Sequence, residues 1–180
     1  MDRPNSRDEF IHISLRVPTS IKRGLEKDAK RANTNFNSLA SQILSKYLSF
    51  DKIAKHVSAI PINEYLFSGM LEDMPVDHLE RLGKELGPKL IKRTFVFLDL
   101  EYDLDGLIHN YFDPMSSFSG WYTFTAAESE SGRKLMFEHQ YGLKWSAFLK
   151  TYISSIIKTA TGTEPRTTMD DGLLIIYLGQ

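Results

Sequence analysis

The sequence predicts an α+β protein with two domains, and three observations lead to that prediction. Residues 10–17 alternate between apolar and polar side chains, as strand residues do, and residues 18–50 have helical spacing. Beyond residue 62, helical stripes are followed by several short strand-like runs. Residues 1–50 contain nine Lys and Arg against five Asp and Glu, whereas residues 51–180 contain 13 against 18. We therefore expect a basic domain at 1–50, a linker at 51–62 and an α+β domain at 63–180.

The composition limits the classes of function that the chain can have. Its 180 residues are 42% hydrophobic and 25% charged, and no apolar run approaches the length of a membrane-spanning helix. No charged-then-apolar leader begins at Met1, so a cytoplasmic protein without membrane contact is expected. Because the chain has no cysteine, disulfides, thiolate catalysis and cysteine-based zinc sites are excluded.

Residues 10–17 are predicted to form a strand with two different faces. The apolar face consists of Ile13, Leu15 and Val17. The opposite face carries side chains that can form hydrogen bonds, namely His12, Ser14 and Arg16. An unpaired strand exposes backbone donors and acceptors, so it needs a partner, which we expect from a second copy of the chain. The alternative is an edge strand of a larger sheet, with Arg16 as a solvated charge.

Two amphipathic helices are predicted to follow. The first is capped by Thr19 or Ser20 and runs to about Asn33. Its apolar stripe consists of Ile21, Leu25, Ala29 and Ala32. Asn35 is the predicted N-cap of the second helix, whose apolar face is wide and consists of Phe36, Leu39, Ala40, Ile43, Leu44, Tyr47 and Leu48. Two such helices and half a sheet cannot bury these faces within about 45 residues, so dimerisation is expected.

The strand ending in LRVP, the helix and the start NTNFNSLASQIL together resemble the ribbon-helix-helix family of DNA-binding proteins. The resemblance covers residues 11–50 and implies an intertwined dimer, in which antiparallel strands of two chains enter the major groove of double-stranded DNA. It implies base contacts from His12, Ser14 and Arg16. It also implies a phosphate site at the start of the second helix, at Asn35, Phe36 and Asn37. The arm residues Arg3 and Arg7 would add phosphate contacts, or would be idle.

Two positions depart from the pattern of that family. Asn33 or Thr34 stands where a glycine is usual, and asparagine accepts a left-handed backbone almost as readily. Leu39 stands where an acidic residue is frequent, which widens the apolar face of the second helix.

The remainder of the chain predicts a second, mixed domain. A helical hairpin is expected at 63–87, with Asn63 as its cap and Gly87 and Pro88 at its end. A strand at 94–98, a helix at 104–112, a hairpin of the runs WYTFTAA and KLMFEHQY with Gly132 in its turn, a helix at 143–160 and the strand GLLIIYL follow. This order over residues 93–179 is the split βαβ order of ferredoxin-like domains. The combination resembles the architecture of nickel-responsive repressors, in which a ribbon-helix-helix head is joined to a ferredoxin-like regulatory domain. We therefore expect residues 63–180 to have a regulatory or oligomerising role.

No metal, cofactor or catalytic site is predicted. The nickel site of those repressors needs a thiolate and closely spaced histidines, whereas this chain has scattered ones, His56, His78, His109 and His139. The carboxylates Asp99, Asp103 and Asp105 lack the ligand spacing of an EF-hand, which favours a solvated turn. His139, with Tyr141, Trp145 and Ser146 nearby, would line a pocket or, as the favoured alternative, be a hydrogen-bonded core histidine.

These patterns together predict a homo-oligomeric transcriptional regulator, a repressor by resemblance, that binds a palindromic operator and is not an enzyme. Candidates for the wall of a small-molecule effector site are aromatic, and core packing explains them equally: Phe112, Phe118, Trp121, Tyr122 and Trp145. One alternative is an antitoxin, whose second part would cover a toxin. Another is an architectural or interaction protein that binds DNA with little sequence preference.

Overall fold

The computed structural model describes residues 11–129 and 132–179, and the chain divides into two compact units between Leu44 and Ser45. The predicted phosphate contacts Arg3 and Arg7 lie outside the described residues, as does Phe10, the first residue of the predicted strand. The class is mixed α+β, as predicted, with helices in both units and a sheet in the second.

The first unit begins with an irregular segment and continues with helix α1, Thr19–Arg31, and with helix α2, Phe36–Lys46, except for the last two residues of α2, which belong to the second unit. Residues 11–18 have no regular secondary structure. A strand is defined by hydrogen bonds to a neighbouring strand, and the described single chain offers no such neighbour to this segment. The strand and its pairing with a second copy therefore stay a prediction.

The turn between α1 and α2 has the expected geometry. Asn33 adopts a φ of 50°, in the left-handed region where a glycine is usual. Asn35 caps α2, because its Oδ1 accepts a hydrogen bond of 2.9 Å from the N–H of Ser38. Both features confirm the sequence prediction for this turn.

The predicted hydroxyl cap of α1 is wrong. Thr19 is already the first helical residue, Pro18 occupies the N-cap position, and no side chain caps the helix. The proline ring holds φ at −54° and its carbonyl accepts the N–H of Lys22 at 3.2 Å. The helix thus starts directly after the residue that was expected to end the strand.

In the second unit, helical structure extends into the predicted linker. A π-helical turn, Tyr47–Asp51, is followed by α3, Lys52–His56, and only residues 57–63 are irregular. The ring of Phe50 lies 5.9 Å from that of Phe118, so the π-helical turn packs within the second unit. Helix α4, Glu64–Asp73, begins at the predicted cap Asn63.

Helix α5, Val76–Leu98, overturns two predictions. It neither ends at Gly87 and Pro88 nor gives way to a strand at 94–98. Gly87 lies so close to helix α8, Gly142–Thr161, that a Cβ there would come within 2.8 Å of the carbonyl oxygen of Tyr152. Pro88 removes a helical hydrogen bond. The contact with α8 offsets that loss, because it buries α5 residues on both sides of the proline, such as Leu79 and Ile91.

The residues of the predicted strand 94–98 are helical, and two of them belong to the buried side of α5. Thr94 and Phe95 are buried, whereas Val96 is exposed, a pattern typical of a helix rather than of an alternating strand. The Thr94 hydroxyl donates to the carbonyl of Leu90 at 2.9 Å, which satisfies it inside the helix.

Short helical segments lead from α5 to the sheet. They are α6, Leu104–Leu107, a π-helical turn, Ile108–Phe112, and α7, Asp113–Phe118. The strands are β1, Thr123–Ser129, β2, Gly132–Glu138, β3, Arg166–Asp170, and β4, Leu173–Leu178. Within the described residues they form one antiparallel sheet in the order β1-β2-β4-β3, with α8 between β2 and β3 in sequence.

This topology corrects the ferredoxin-like order. The hairpin β1–β2 and the last strand β4 are present as predicted, although Gly132 begins β2 instead of lying in the turn. The remaining strand of the sheet is β3, whereas the strand predicted at 94–98 is absent. Residues 166–170 are polar except for Met169 and are mostly exposed, so no apolar alternation marks them in the sequence. Their pairing with β4 makes a second hairpin.

Helix α8 lies at the centre of the second unit, between the sheet and α5. It is buried around most of its circumference, including Leu149, Ile153 and Ile157. The sheet contributes the inward residues Leu135, Phe137, Leu174 and Ile176. In the described part of the chain, no helix is long and apolar enough to cross a bilayer.

Candidate nucleic-acid interface

The first unit exposes both faces of residues 11–17. The apolar side chains remain exposed to 80% at Ile11, 56% at Ile13, 66% at Leu15 and 44% at Val17. The predicted base-contacting residues His12, Ser14 and Arg16 are exposed as well. Apolar surface in water costs about 25 cal/mol per Å², so this row favours a partner that covers it.

The two helices of this unit do not cover the segment and do not form a core of their own. Ile21, Ile43 and Leu44 are exposed. Among the described residues of the first unit, only Ala29 is buried. A chain of this length without a core is not expected to be stable alone, which again favours association.

The charge of this unit is positive. Residues 11–44 contain six Lys and Arg against two Asp and Glu. Lys22 lies 3.6 Å from Glu26, and Arg31 lies 3.5 Å from Asp28, and all four side chains are well exposed. Such surface pairs hold the side chains weakly, so the unit keeps an excess of accessible cations.

The start of α2 has the features of a weak anion site. Asn35 and Asn37 are exposed and Phe36 is half-buried. The N–H groups of Phe36 and Asn37 lie in the first turn, where a helix offers them no carbonyl acceptor. The first turn of α2 contains no acidic residue that would repel an anion.

In the second unit, a histidine and a serine meet without forming a catalytic pair. The Nε2 of His139 lies 3.0 Å from the Oγ of Ser146, and its Nδ1 accepts the N–H of Tyr141 at 3.2 Å. The Ser146 hydroxyl donates to the carbonyl of Asp170 at 2.7 Å. Nδ1 is therefore the acceptor and Nε2 the donor, so the ring cannot take the serine proton.

The same arrangement sets the protonation of His139. Burial lowers the pKa of this imidazole, and the nearby Asp171 carboxylate opposes that effect. In the neutral form both ring nitrogens of His139 have hydrogen-bond partners, which confirms the hydrogen-bonded part of the favoured alternative. The expected core position is wrong, because the ring is only half-buried and lies outside the core cluster.

The acidic residues at the start of α6 have structural partners. Asp103 caps α6, since its Oδ1 accepts the N–H of Gly106 at 2.7 Å. Asp105 lies 2.6 Å from Arg133, and this hydrogen bond lowers the pKa of its carboxyl. Across residues 11–129 and 132–179, no three His, Asp or Glu side chains come together as ligands for a metal ion.

The predicted aromatic wall belongs mainly to the core. Phe112, Tyr122 and Trp145 are buried there, and the Trp121 ring lies 5.3 Å from that of Trp145. Phe118 pairs with Phe50. An open depression lies elsewhere, where α4 meets α5, and is lined by Met70, Asp73, Met74, Pro75, Asp77, His78 and Arg81. No motif marks these residues in the sequence, so this depression could not be predicted from it.

Comparison of the chain with models of known protein families, with curated proteins and with solved structures gives no match. The ribbon-helix-helix resemblance therefore rests only on the sequence pattern of residues 11–50, and no comparison supports it.

Proposed function

We propose that the chain is a sequence-specific DNA-binding transcriptional regulator. Two copies would pair residues 10–17 into an antiparallel ribbon that enters the major groove. The observation that carries this proposal is the exposed apolar row of Ile13, Leu15 and Val17 beside an exposed polar row, in a basic unit without its own core. A ribbon would bury the first row and present the second.

The polar row has the chemistry for reading bases. The guanidinium of Arg16 can bind both O6 and N7 of guanine, and the Ser14 hydroxyl can bond to several bases. The His12 ring can donate or accept, depending on its tautomer. Because two strands contribute these residues about a two-fold axis, the operator would be palindromic.

Phosphate contacts would position the ribbon. The N–H groups at the start of α2, around Asn35, Phe36 and Asn37, are suited to hold a backbone phosphate at the positive end of the helix dipole. Arg3 and Arg7 would add further contacts. Each neutralised phosphate makes the affinity fall with salt, so a log–log plot of affinity against salt would have a slope of about −0.9 per contact.

The proposal is tested by selecting bound sequences from random DNA with the full chain, followed by footprinting. We expect one palindromic motif. Arg16→Ala should lower the ratio of specific to non-specific affinity by about 1 to 3 kcal/mol. The matched control is Arg93→Ala, which removes an exposed arginine from α5 and should leave the ratio unchanged. An equal loss on every sequence would show that Arg16 contacts only phosphate.

The same measurements separate the alternatives. An architectural protein would give no enriched motif and would bind all duplexes with similar affinity. An antitoxin would co-purify with a small toxic partner. The second unit has a buried core and a four-stranded sheet in its described residues, whereas an antitoxin part that covers a toxin is usually short and disordered when free.

A further inference from the structure

The sheet of the second unit has one covered face and one open face. Leu135, Phe137, Leu174 and Ile176 point inward and belong to the core beside α8. The residues of opposite parity on the two central strands include four that are half-buried and lie outside that core: Met136, Leu173, Ile175 and Tyr177. These central side chains form the middle of an apolar surface on the outer face.

The strand register sorts the outer face into three rows that cross all four strands. The first row is Ala127, Lys134, Tyr177 and Arg166. The middle row is Thr125, Met136, Ile175 and Thr168. The third row is Thr123, Glu138, Leu173 and Asp170. Two cations therefore lie at one end of the face and two anions at the other, with uncharged residues between them.

The four charged side chains of this face lack ionic partners of their own. Lys134, Arg166, Glu138 and Asp170 form no ion pair in the described part of the chain. The Arg166 guanidinium lies over the Tyr177 ring at 4.6 Å, which holds this cation on the face. The charges are thus available to a molecule that covers the sheet.

We propose that this outer face binds the same face of a second copy of the chain, about a two-fold axis that runs along the middle row. An axis along the strands would set the row with both cations against the same row of the second copy. An axis along the middle row reverses the strands, so Lys134 and Arg166 lie opposite Glu138 and Asp170 of the second copy. Such a self-complementary patch is what an isologous interface requires. Met136 and Ile175 would be buried at its centre.

The size of the face sets the strength of the association. Strands about 4.8 Å apart, with rows about 7 Å apart, give on the order of 400 Å² per copy, which is small for a protein interface. Association should therefore be weak, and it should be measured over a series of protein concentrations in which the mass of the parent chain increases. Pairing through residues 10–17 would raise the local concentration, but the sheet interface does not depend on it.

The test uses charge reversal in the full chain and sedimentation velocity. The acidic-face variant is Lys134→Glu with Arg166→Glu, and the basic-face variant is Glu138→Lys with Asp170→Lys. The complex that each variant forms alone should have half the mass of the complex formed by the parent chain, because like charges would face each other. An equimolar mixture of the two variants should regain the parental mass. The control is Lys89→Glu with Lys92→Glu on exposed positions of α5, which should associate like the parent.

Asp170 needs an additional variant because its side chain also accepts the N–H of Asp171. Glu138→Lys alone removes this complication and should weaken self-association in the same direction. Far-UV circular dichroism and melting temperature would verify that each variant is folded. Equal masses for the parent and both variants, or a mixture that stays dissociated, would overturn the proposal.

A cross-link tests the position of the axis, since the chain has no cysteine of its own. Met136→Cys places a thiol in the middle row, where the two copies face each other, and a short bismaleimide should join them. Lys92→Cys on α5 should stay uncrosslinked. Both results should persist in a chain that also carries Leu15→Glu, which is directed at the ribbon. Loss of the ribbon would therefore leave the cross-link at Met136→Cys intact, whereas absence of the sheet interface would abolish it.

Discussion

At the scale of residues, the core of the second unit contains three buried tyrosine hydroxyls that differ in their hydrogen bonding. Those of Tyr111 and Tyr152 form a hydrogen bond of 2.8 Å. The Tyr122 hydroxyl is buried and has no hydrogen-bond partner among the described residues. Burial raises the pKa of Tyr152 to about 12 and those of Tyr111 and Tyr122 well above their usual range. All three are therefore neutral at ordinary pH.

Removing the hydroxyl should have opposite effects at two of these positions. Tyr122→Phe should leave the free energy of unfolding unchanged or raise it, because a buried group without a partner is lost. Tyr152→Phe should lower it by about 1 to 3 kcal/mol, because the Tyr111 hydroxyl is left unpaired. Urea unfolding of both variants measures the difference. A larger loss from Tyr122→Phe would mean that its hydroxyl has a bonding partner after all.

His139 predicts a dependence of stability on pH. Its pKa is lowered in the folded chain, so the unfolded chain binds more protons as the pH falls through about 6.5, the ordinary value for histidine. Its contribution is complete above that pH and decreases below it, down to the lowered pKa. His139→Gln should therefore lose less stability than the parent between pH 7.5 and 5.

The control for this titration is His109→Gln. His109 is exposed on the π-helical turn, and its Nδ1 lies 3.6 Å from a carboxylate oxygen of Asp113. This variant should keep the parental decrease of stability at acidic pH. If the two glutamine variants behave alike in urea titrations at each pH, His139 does not cause the decrease.

At the scale of elements, the contact between α5 and α8 depends on two glycines one helical turn apart. A Cβ at Gly83 would come within 2.7 Å of the Phe148 carbonyl oxygen and 2.9 Å of the Tyr152 nitrogen. A Cβ at Gly87 would come within 2.8 Å of the Tyr152 carbonyl oxygen. These atoms belong to the backbone of α8 and cannot rotate away, so the small residues set the distance between the helices.

Gly83→Ala should destabilise the chain by about 1 to 3 kcal/mol, because the helices must separate or strain. Gly69 provides the matched control, since it also lies inside a helix, α4, and a Cβ there would meet nothing within 4 Å. Gly69→Ala should stabilise by about 0.5 to 1 kcal/mol through helix propensity. Thermal unfolding compares them, and a stabilising Gly83→Ala would contradict the close approach.

At the scale of the whole molecule, the apolar side chains that the first unit leaves exposed lead us to expect association between copies of the chain. Leu15→Glu places a charge in the row that a ribbon would bury, so it should reduce the mass in sedimentation and abolish DNA binding. Ser14→Ala changes the opposite row and should keep the parental mass while altering sequence preference. A Leu15→Glu chain with parental mass and parental DNA affinity would exclude the ribbon.

Sequence patterns predicted the elements whose signals are local. The asparagine caps of α2 and α4, the β1–β2 hairpin, the long helix α8 and the final strand β4 follow from the residues within each segment. The division into a basic N-terminal domain and an α+β domain could also be expected from charge and periodicity. The candidate base-contacting residues came from alternation over only eight positions, and their role stays a prediction.

Tertiary contacts decided the elements for which local signals were misleading. Gly87 and Pro88 are typical helix breakers, yet α5 continues to Leu98. It continues because α8 packs against it on both sides of the proline, and Gly87 permits the close approach of the two helices. Strand β3 has no apolar alternation and exists because β4 provides its hydrogen bonds. By itself, the sequence determined which segments carry an apolar face. Only the folded chain decided what covers each face, because burial depends on residues that are distant in sequence.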